Sequence, residues 1–295
     1  MAGMKNIGFR AHDFGSFPSA DELGAAVESI TSPATIQLAI GKVIKPSRPW
    51  TDWDEDYISS IREDLARHGV SVAVVGCYIN PVHPDEEERE RQLARFERSL
   101  ELNKAFGCRI VGTETGSWKG DISYCLETFS DHVFSVFLHS LERMVKAAEA
   151  NDAICAIEAV AHQHTICSVE RMARVLSLFP SDNLRVIWDP VNLVPINGIE
   201  EVDGSHPAKP SSEAQRRFYT KALDAFGDRI CAMHCKDYFL KEDGFKKGDV
   251  PVLTGVFDWQ GLAKELERRR IEVPILLENH NPATLKRTLE VLEKF

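Results

Sequence analysis

The sequence contains no run of 18 apolar residues, so it supplies no membrane-spanning helix. It has no block rich in Lys and Arg, and its 35 basic residues are outnumbered by 45 Asp and Glu, a formal charge of −10. Sequence-independent binding to nucleic acid or to an anionic membrane therefore has no electrostatic attraction to draw on, and neither is expected as a partner. Cysteine is sparse: seven residues, Cys77, Cys108, Cys125, Cys155, Cys167, Cys231 and Cys235, mostly set in apolar runs and with no C-x-x-C pair. Such an odd set in a chain this long reads as small buried hydrophobes, not as a disulfide framework. No G-x-G-x-x-G follows the first strand-like run and no P-loop occurs, which argues against a nucleotide-cradling turn. Low-complexity segments, strict repeats and long linkers are also missing, so residues 1–295 read as one domain. Residues Met1 to Arg10 pass almost at once into a short β-like stretch without the apolar core of a signal peptide, and a cytoplasmic protein is the expectation.

What is present is an alternation of short apolar, often β-branched runs with longer amphipathic patterns. The runs expected as strands are Asn6 to Arg10, Thr35 to Ile40, Val70 to Ile79, Arg109 to Thr115, Ala153 to Val160, Leu184 to Asp189, Arg229 to Lys236 and Val273 to Glu278. Helical patterns between them cover Asp54 to His68, Pro84 to Phe106, His132 to Asn151, Ser168 to Phe179, Ser211 to Phe226, Asp258 to Arg270, and Ala283 to the last residue. Ser19, Asp54 and Asp258 stand where N-caps belong, and Gly69, Gly107 and Gly227 where a C′ glycine belongs. Parallel strands need long crossovers and eight of them can close, so the pattern predicts a (β/α)8 TIM barrel, with a doubly wound open sheet as the weaker alternative. Two connections, Lys42 to Trp53 with its prolines and Pro190 to Pro210 with prolines and glycines, follow strands and would lie on the C-terminal rim of a barrel, where substrate loops sit.

Four consecutive strand patterns end in a polar residue after an apolar run: Glu158, Asp189, His234 and Glu278. Any one of the carboxylates could simply cap the next helix. Converging at one barrel rim, three carboxylates and an imidazole would be costly to bury without a compensating charge, and a divalent cation supplies it. Oxygen-rich ligation with one nitrogen suits Mn²⁺ best, with Mg²⁺, Co²⁺ or Zn²⁺ as alternatives.

The turn Asp189-Pro-Val-Asn192, the segments His234-Cys-Lys-Asp237 and Gly255-Val-Phe-Asp258, and the pair Leu277-Glu278 resemble the sugar phosphate isomerase/epimerase family of xylose-isomerase-like TIM barrels, over essentially the whole chain. The resemblance implies one divalent metal held by Glu158, Asp189, His234 and Glu278, with the two glutamates also moving protons through an enediolate. Its substrate would be a small-molecule carbohydrate. Metal-binding members often carry a His three residues after the Asp; here that position is Asn192, which becomes a candidate substrate contact.

Other polar residues follow strands as well. Lys236, two residues after His234 and so on the same face, could stabilise an enediolate oxygen or pair with Asp189. His164 is a candidate catalytic residue, and His162, His12 and Trp118 are candidate substrate contacts; Asn80, His83 and Glu114 could join the same rim. Trp50, Trp53 and Trp118 would suit stacking on a sugar or aglycone face, or serve as loop anchors. The alternative chemistry is a lyase or dehydratase, like inosose dehydratases or the larger subunit of a C-glycoside deglycosidase, which expels a group from the same enediolate. That subunit works with a small β-rich partner, whereas the isomerase reading leaves room for a homo-oligomer. Phosphodiester cleavage by a repair-endonuclease relative is disfavoured by the acidic charge, and a non-catalytic binding barrel is the remaining class.

Overall fold

The computed structural model describes residues 4–295; the first three residues, part of the stretch read for a leader segment, lie outside the described residues. Eight strands form a closed parallel barrel: β1 (Ile7–Arg10), β2 (Ala34–Leu38), β3 (Val70–Gly76), β4 (Ile110–Glu114), β5 (Ile154–Glu158), β6 (Leu184–Trp188), β7 (Ile230–Cys235) and, after a hairpin of β8 (Asp237–Leu240) and β9 (Lys246–Val250), β10 (Ile275–Leu277). Around the barrel the order is β1-β10-β7-β6-β5-β4-β3-β2, with β2 pairing back to β1. All eight expected strands form, each a little shorter than its apolar run. No helix among the described residues is long and apolar enough to cross a membrane.

The longer helices are α1 (Ala20–Glu28), α2 (Glu55–Arg67), α3 (Glu86–Glu101), α4 (Asp131–Ala150), α5 (Val169–Leu178), α6 (Ser212–Phe226), α7 (Trp259–Arg269) and α8 (Leu285–Leu292). Their starts are chemically marked. Ser19, Asp54 and Asp258 accept the backbone N–H of Glu22, Tyr57 and Gly261, and Asp85, Ser130, Ser168 and Ser211 do the same for α3 to α6. Each such cap is worth about 1 kcal/mol. Gly69 and Gly107 take φ of +67° after their helices, as a C′ glycine should. Gly227 does not: its φ is −58° and it opens a 3-10 turn leading into β7.

Side chains alternate along each strand, and the alternation separates two cores. Outward residues such as Phe9, Ile36, Leu38, Ile157, Trp188 and Leu277 pack under the helices in the large core. Inward, Val74, Ala156, Ile187, Ala232 and Leu276, from five different strands, form a separate buried cluster that fills the barrel. Gly112 on β4 completes this layer by having no side chain, since a Cβ there would lie 2.4 Å from Ile187 Cδ1. The period of two then dictates what comes next on the inner face: two residues past the plug stand Glu158, Asp189, His234, Glu278 and Glu114.

Candidate active site and metal centre

Glu158, Asp189, His234 and Glu278 converge on the C-terminal rim, each 4% exposed or less. One ligand atom from each of Glu158, Asp189 and His234 lies within 4.8 Å of the others, and the three form a candidate metal-binding triad. His234 Nδ1 stands 3.1 Å from Glu158 Oε2 and 3.4 Å from Glu278 Oε1. Neither approach is aligned as a hydrogen bond, and the buried Nδ1 has no partner. Nε2 of the same ring sits 2.6 Å from Oε1 of the buried Gln37 on β2. An amide oxygen only accepts, so Nε2 carries the proton and Nδ1 is turned toward the carboxylates, the arrangement a ligating imidazole needs.

Asp189 plays two parts with its two oxygens. Oδ1 accepts the backbone N–H of Asn192 at 2.9 Å, capping a one-turn helix, while the buried Oδ2 has no hydrogen-bond partner. Capping and site roles thus coexist in one side chain. The unpartnered His234 Nδ1, with Asp189 Oδ2 facing the Lys236 ammonium and the Glu158 carboxylate beside them, fits a divalent ion as donor set and in burial. Asn192 Nδ2 donates to Glu158 Oε1 at 2.7 Å, which leaves Glu158 Oε2 facing His234.

Cations hold the rest of the charge in place. Lys236 Nζ lies 3.0 Å from Asp189 Oδ2, 3.3 Å from Glu278 Oε2 and 3.5 Å from Asp249 Oδ1 on β9. Arg10 at the end of β1 is 3.3 Å from Glu278 Oε1. Burial alone would raise the Glu278 pKa, but His234, Lys236 and Arg10 outweigh it and hold the carboxyl well below the usual carboxylate range. Burial likewise opposes charge on His234, yet Glu158 and Glu278 dominate and raise it to about 9. Asp189 is pushed up by burial, with Lys236 opposing. Glu114, level with Glu158 in the β4–β5 register, is pushed up to about 7 by burial and by the Glu158 carboxylate.

The remaining candidates separate into two groups. His164 is buried, with Nε2 3.8 Å from Glu114 Oε2 and Nδ1 unpartnered, and burial lowers its pKa to about 4. His12 follows β1, packs edge-on to Tyr78 and leaves a buried Nδ1 unpartnered. Away from the centre, His162 at φ +66° turns outward to stack on the exposed Tyr124, with ring centroids 4.7 Å apart. Trp118 packs on His132 at the start of α4, Asn80 ties the Ser117 and Lys119 carbonyls, His83 bonds within its own turn, and Trp53 anchors on Phe106. Gln37, Arg10 and Asp249 were not anticipated. Gln37 carried a signal, a lone amide inside the apolar run Thr35 to Ile40.

The β8–β9 hairpin was also not anticipated. Asp237 organises the segment around it: its carboxylate accepts the N–H groups of Tyr238, Leu253 and Phe257. Lys246 on β9 donates to the Val191 and Val194 carbonyls at 3.0 and 2.6 Å, clamping the hairpin onto the loop that carries Asp189 and Asn192.

A closed parallel barrel with a polar cluster at its strand ends defines a TIM barrel with a rim site. The chain belongs to the xylose isomerase-like TIM barrel family, whose model matches residues 34–295. Among solved structures it is similar to 3-keto-D-glucoside 4-epimerase from E. coli (14% identity, 98% of this chain and 99% of that one, TM-score 0.69). It is similar too to the probable 3-DHS dehydratase of Bacillus anthracis (12% identity, 98% of each chain, TM-score 0.69). A third is a xylose isomerase-like TIM barrel protein from Mycobacterium smegmatis in complex with magnesium (14% identity, 100% and 96% coverage, TM-score 0.68). These likenesses establish the shared fold. A search of curated proteins finds no match.

Proposed function

We propose that the protein is a divalent-metal-dependent isomerase or epimerase of a small carbohydrate, with Glu158 and Glu278 as its proton-transfer pair. The observation that carries this reading is the buried triad of Glu158, Asp189 and His234, with the His234 Nδ1 unpartnered and turned toward the carboxylates, faced by Glu278 from the neighbouring strand. Glu158, Asp189, His234 and Glu278 would hold the ion, and Mn²⁺ suits three carboxylates and one imidazole best. When bound, it supplies Lewis-acid stabilisation of the negative charge that develops when a carbon next to a carbonyl loses its proton. The similarity to an epimerase from E. coli and to a mycobacterial protein in complex with magnesium supports the reading.

The chain's own residues perform the proton movements. Glu278, kept ionised by Lys236 and Arg10, takes the proton from the carbon beside the carbonyl. Glu158, its Oε1 tied down by Asn192, presents Oε2 to return a proton to the neighbouring carbon or the opposite face. Lys236, between Asp189 and Glu278, holds a substrate oxygen, and His164 with Glu114 borders the site on the β4–β5 side. Asn192 and His12 stand closest to this machinery among the candidate substrate contacts; His162 and Trp118 would meet only a substrate long enough to reach the outer loops.

The test is metal analysis of the purified protein, then incubation of a panel of aldoses and ketoses in D₂O with Mn²⁺, followed by NMR. The expected result is deuterium at the carbon beside the carbonyl of at least one sugar, with an isomeric product. Glu158→Gln and Glu278→Gln should each lose this exchange while keeping the native circular dichroism. Full exchange in both variants would sink the proton-transfer assignment. Loss of water or of an aglycone would move the protein to the elimination class.

A further inference from the structure

Beside the centre, on the β2–β3 side of the rim, the Lys42 to Trp53 connection walls a cavity of about 390 Å³. Its lining includes Lys42, Arg48 and Arg95 together with Trp50, Trp53 and Tyr78, and not one Asp or Glu. In a chain with a formal charge of −10, three cations and no carboxylate around one hollow is a marked local reversal. Arg48 is already engaged, stacked on the Tyr57 ring and 3.7 Å from Asp54. Lys42 and Arg95 are different: among the described residues neither has a carboxylate within ion-pair distance. Lys42 Nζ sits 4.0 Å above the Tyr78 ring, and Arg95 donates through Nη2 to the Tyr78 carbonyl while its buried Nε has no partner.

Tyr78 joins this cavity to the centre. Gln37 Nε2 donates to the Tyr78 hydroxyl at 2.5 Å, and Gln37 Oε1 accepts from His234 Nε2. One residue therefore meets Lys42 with its ring and Arg95 with its carbonyl on one side and, through a single amide, the imidazole of the triad on the other. Burial lowers the Lys42 pKa, with Glu114 and Glu278 opposing.

We propose that this cavity is an anion subsite and that the substrate is an acidic sugar: its phosphate or carboxylate lies between Lys42 and Arg95 while its carbonyl end lies at the Glu158–Asp189–His234 triad. The substrate class rests on the proposed function; the anion site does not. A guanidinium with a free Nε–H and a nearby ammonium supply charge-assisted hydrogen bonds of the kind that hold carboxylate and phosphate oxygens. The aromatic rings of Trp50, Trp53 and Tyr78 line the same cavity.

Two experiments separate the layers of this proposal. First, inorganic phosphate and, separately, acetate are titrated by calorimetry into the wild-type protein, Lys42→Met, Arg95→Gln and Glu158→Gln. Saturable binding of at least one ion is expected, weakened about tenfold or more in Lys42→Met and Arg95→Gln and retained in Glu158→Gln. Lys42 is an exposed rim residue, so its variant keeps the test valid if Arg95→Gln fails to fold. No saturable binding of either ion, or equal binding to wild type and Lys42→Met, overturns the site.

Second, a ketose, its phosphate ester and the corresponding sugar acid are compared for binding by competition. The anionic member that fits should bind about tenfold or more tightly than the neutral sugar, with the gap closing in Lys42→Met. Preference for the ester or for the acid identifies the group, and equal binding of all three overturns the substrate class. If ions bind as expected but no sugar exchanges deuterium, the anion site stands and the proposed reaction falls. If a neutral sugar exchanges and no anion binds, the reverse holds.

Discussion

His234 and His12 are both histidines at the C-terminal rim of one barrel, and their surroundings drive them apart. His234 stands between Glu158 and Glu278, and its pKa is raised to about 9 despite burial. His12 is lowered to about 4, first by burial and then by Arg10 and Lys42. The rim is thus divided. Strands β5, β6 and β10 end in carboxylates and β7 presents an imidazole, whereas the end of β1, the loop after β2 and α3 present Arg10, Lys42 and Arg95. The two sectors meet through Gln37 and Tyr78 and through the Arg10–Glu278 pair.

The largest effect should come from the acidic sector. Glu278→Gln removes the proposed base, and deuterium exchange into substrate should fall about 10²- to 10⁴-fold with the fold intact, read by NMR. Next in size is the link between the sectors. Gln37→Leu strips His234 of the acceptor that fixes its tautomer, and Mn²⁺ affinity, followed by calorimetry, should drop about 10- to 100-fold. An unchanged affinity would show that ring packing alone orients His234. Smaller still, Lys246→Met removes the clamp on the Val191 and Val194 carbonyls and should cost about 1–3 kcal/mol in urea denaturation.

The smallest effect is a slope. His12 is neutral in the fold down to about pH 4 but takes up a proton below its ordinary value of 6.5 when unfolded. The unfolded state therefore binds more protons across that window, and stability should fall as pH drops from about 6.5 to about 4. His12→Phe should flatten that limb of the denaturation profile. An unchanged slope would mean that the fold does not hold His12 neutral in this window.

The barrel was legible because buried parallel strands are written as apolar, β-branched runs, and the helix starts as Ser or Asp caps. The rim was legible for a related reason: Glu158, Asp189, His234 and Glu278 each interrupt an apolar run two residues past an inward-facing hydrophobe. The β8–β9 hairpin was hidden because Lys246–Val250 reads Lys-Lys-Gly-Asp-Val, with no apolar alternation, and its order comes from the Asp237 carboxylate and the Lys246 clamp. Gly227 misled because a glycine after a helix can as well begin a 3-10 turn. His162 and His164 lie two residues apart in one loop, yet the positive φ of His162 sends one outward while the other is buried. No local pattern encodes that division. Pairing of distant residues, such as Gln37 with His234, depends on closure of the barrel, and that of Lys236 with Asp249 on the hairpin; neither is visible along the chain.

That closure has a consequence for how the protein comes into being. Strand β1 pairs with β10, Ile7 against Ile275 and Phe9 against Leu277, and Arg10 meets Glu278 across the seam. A nascent chain on the ribosome can assemble most of the sheet, but it holds Arg10 against Asp13 without Glu278, and the triad without its fourth wall, until β10 emerges. Chaperones and proteases would meet a gapped barrel with open strand edges during that interval. Catalytic competence should therefore arrive in one step with the final strand, so that regained activity on refolding marks the zipping of the seam and not the earlier growth of helical signal.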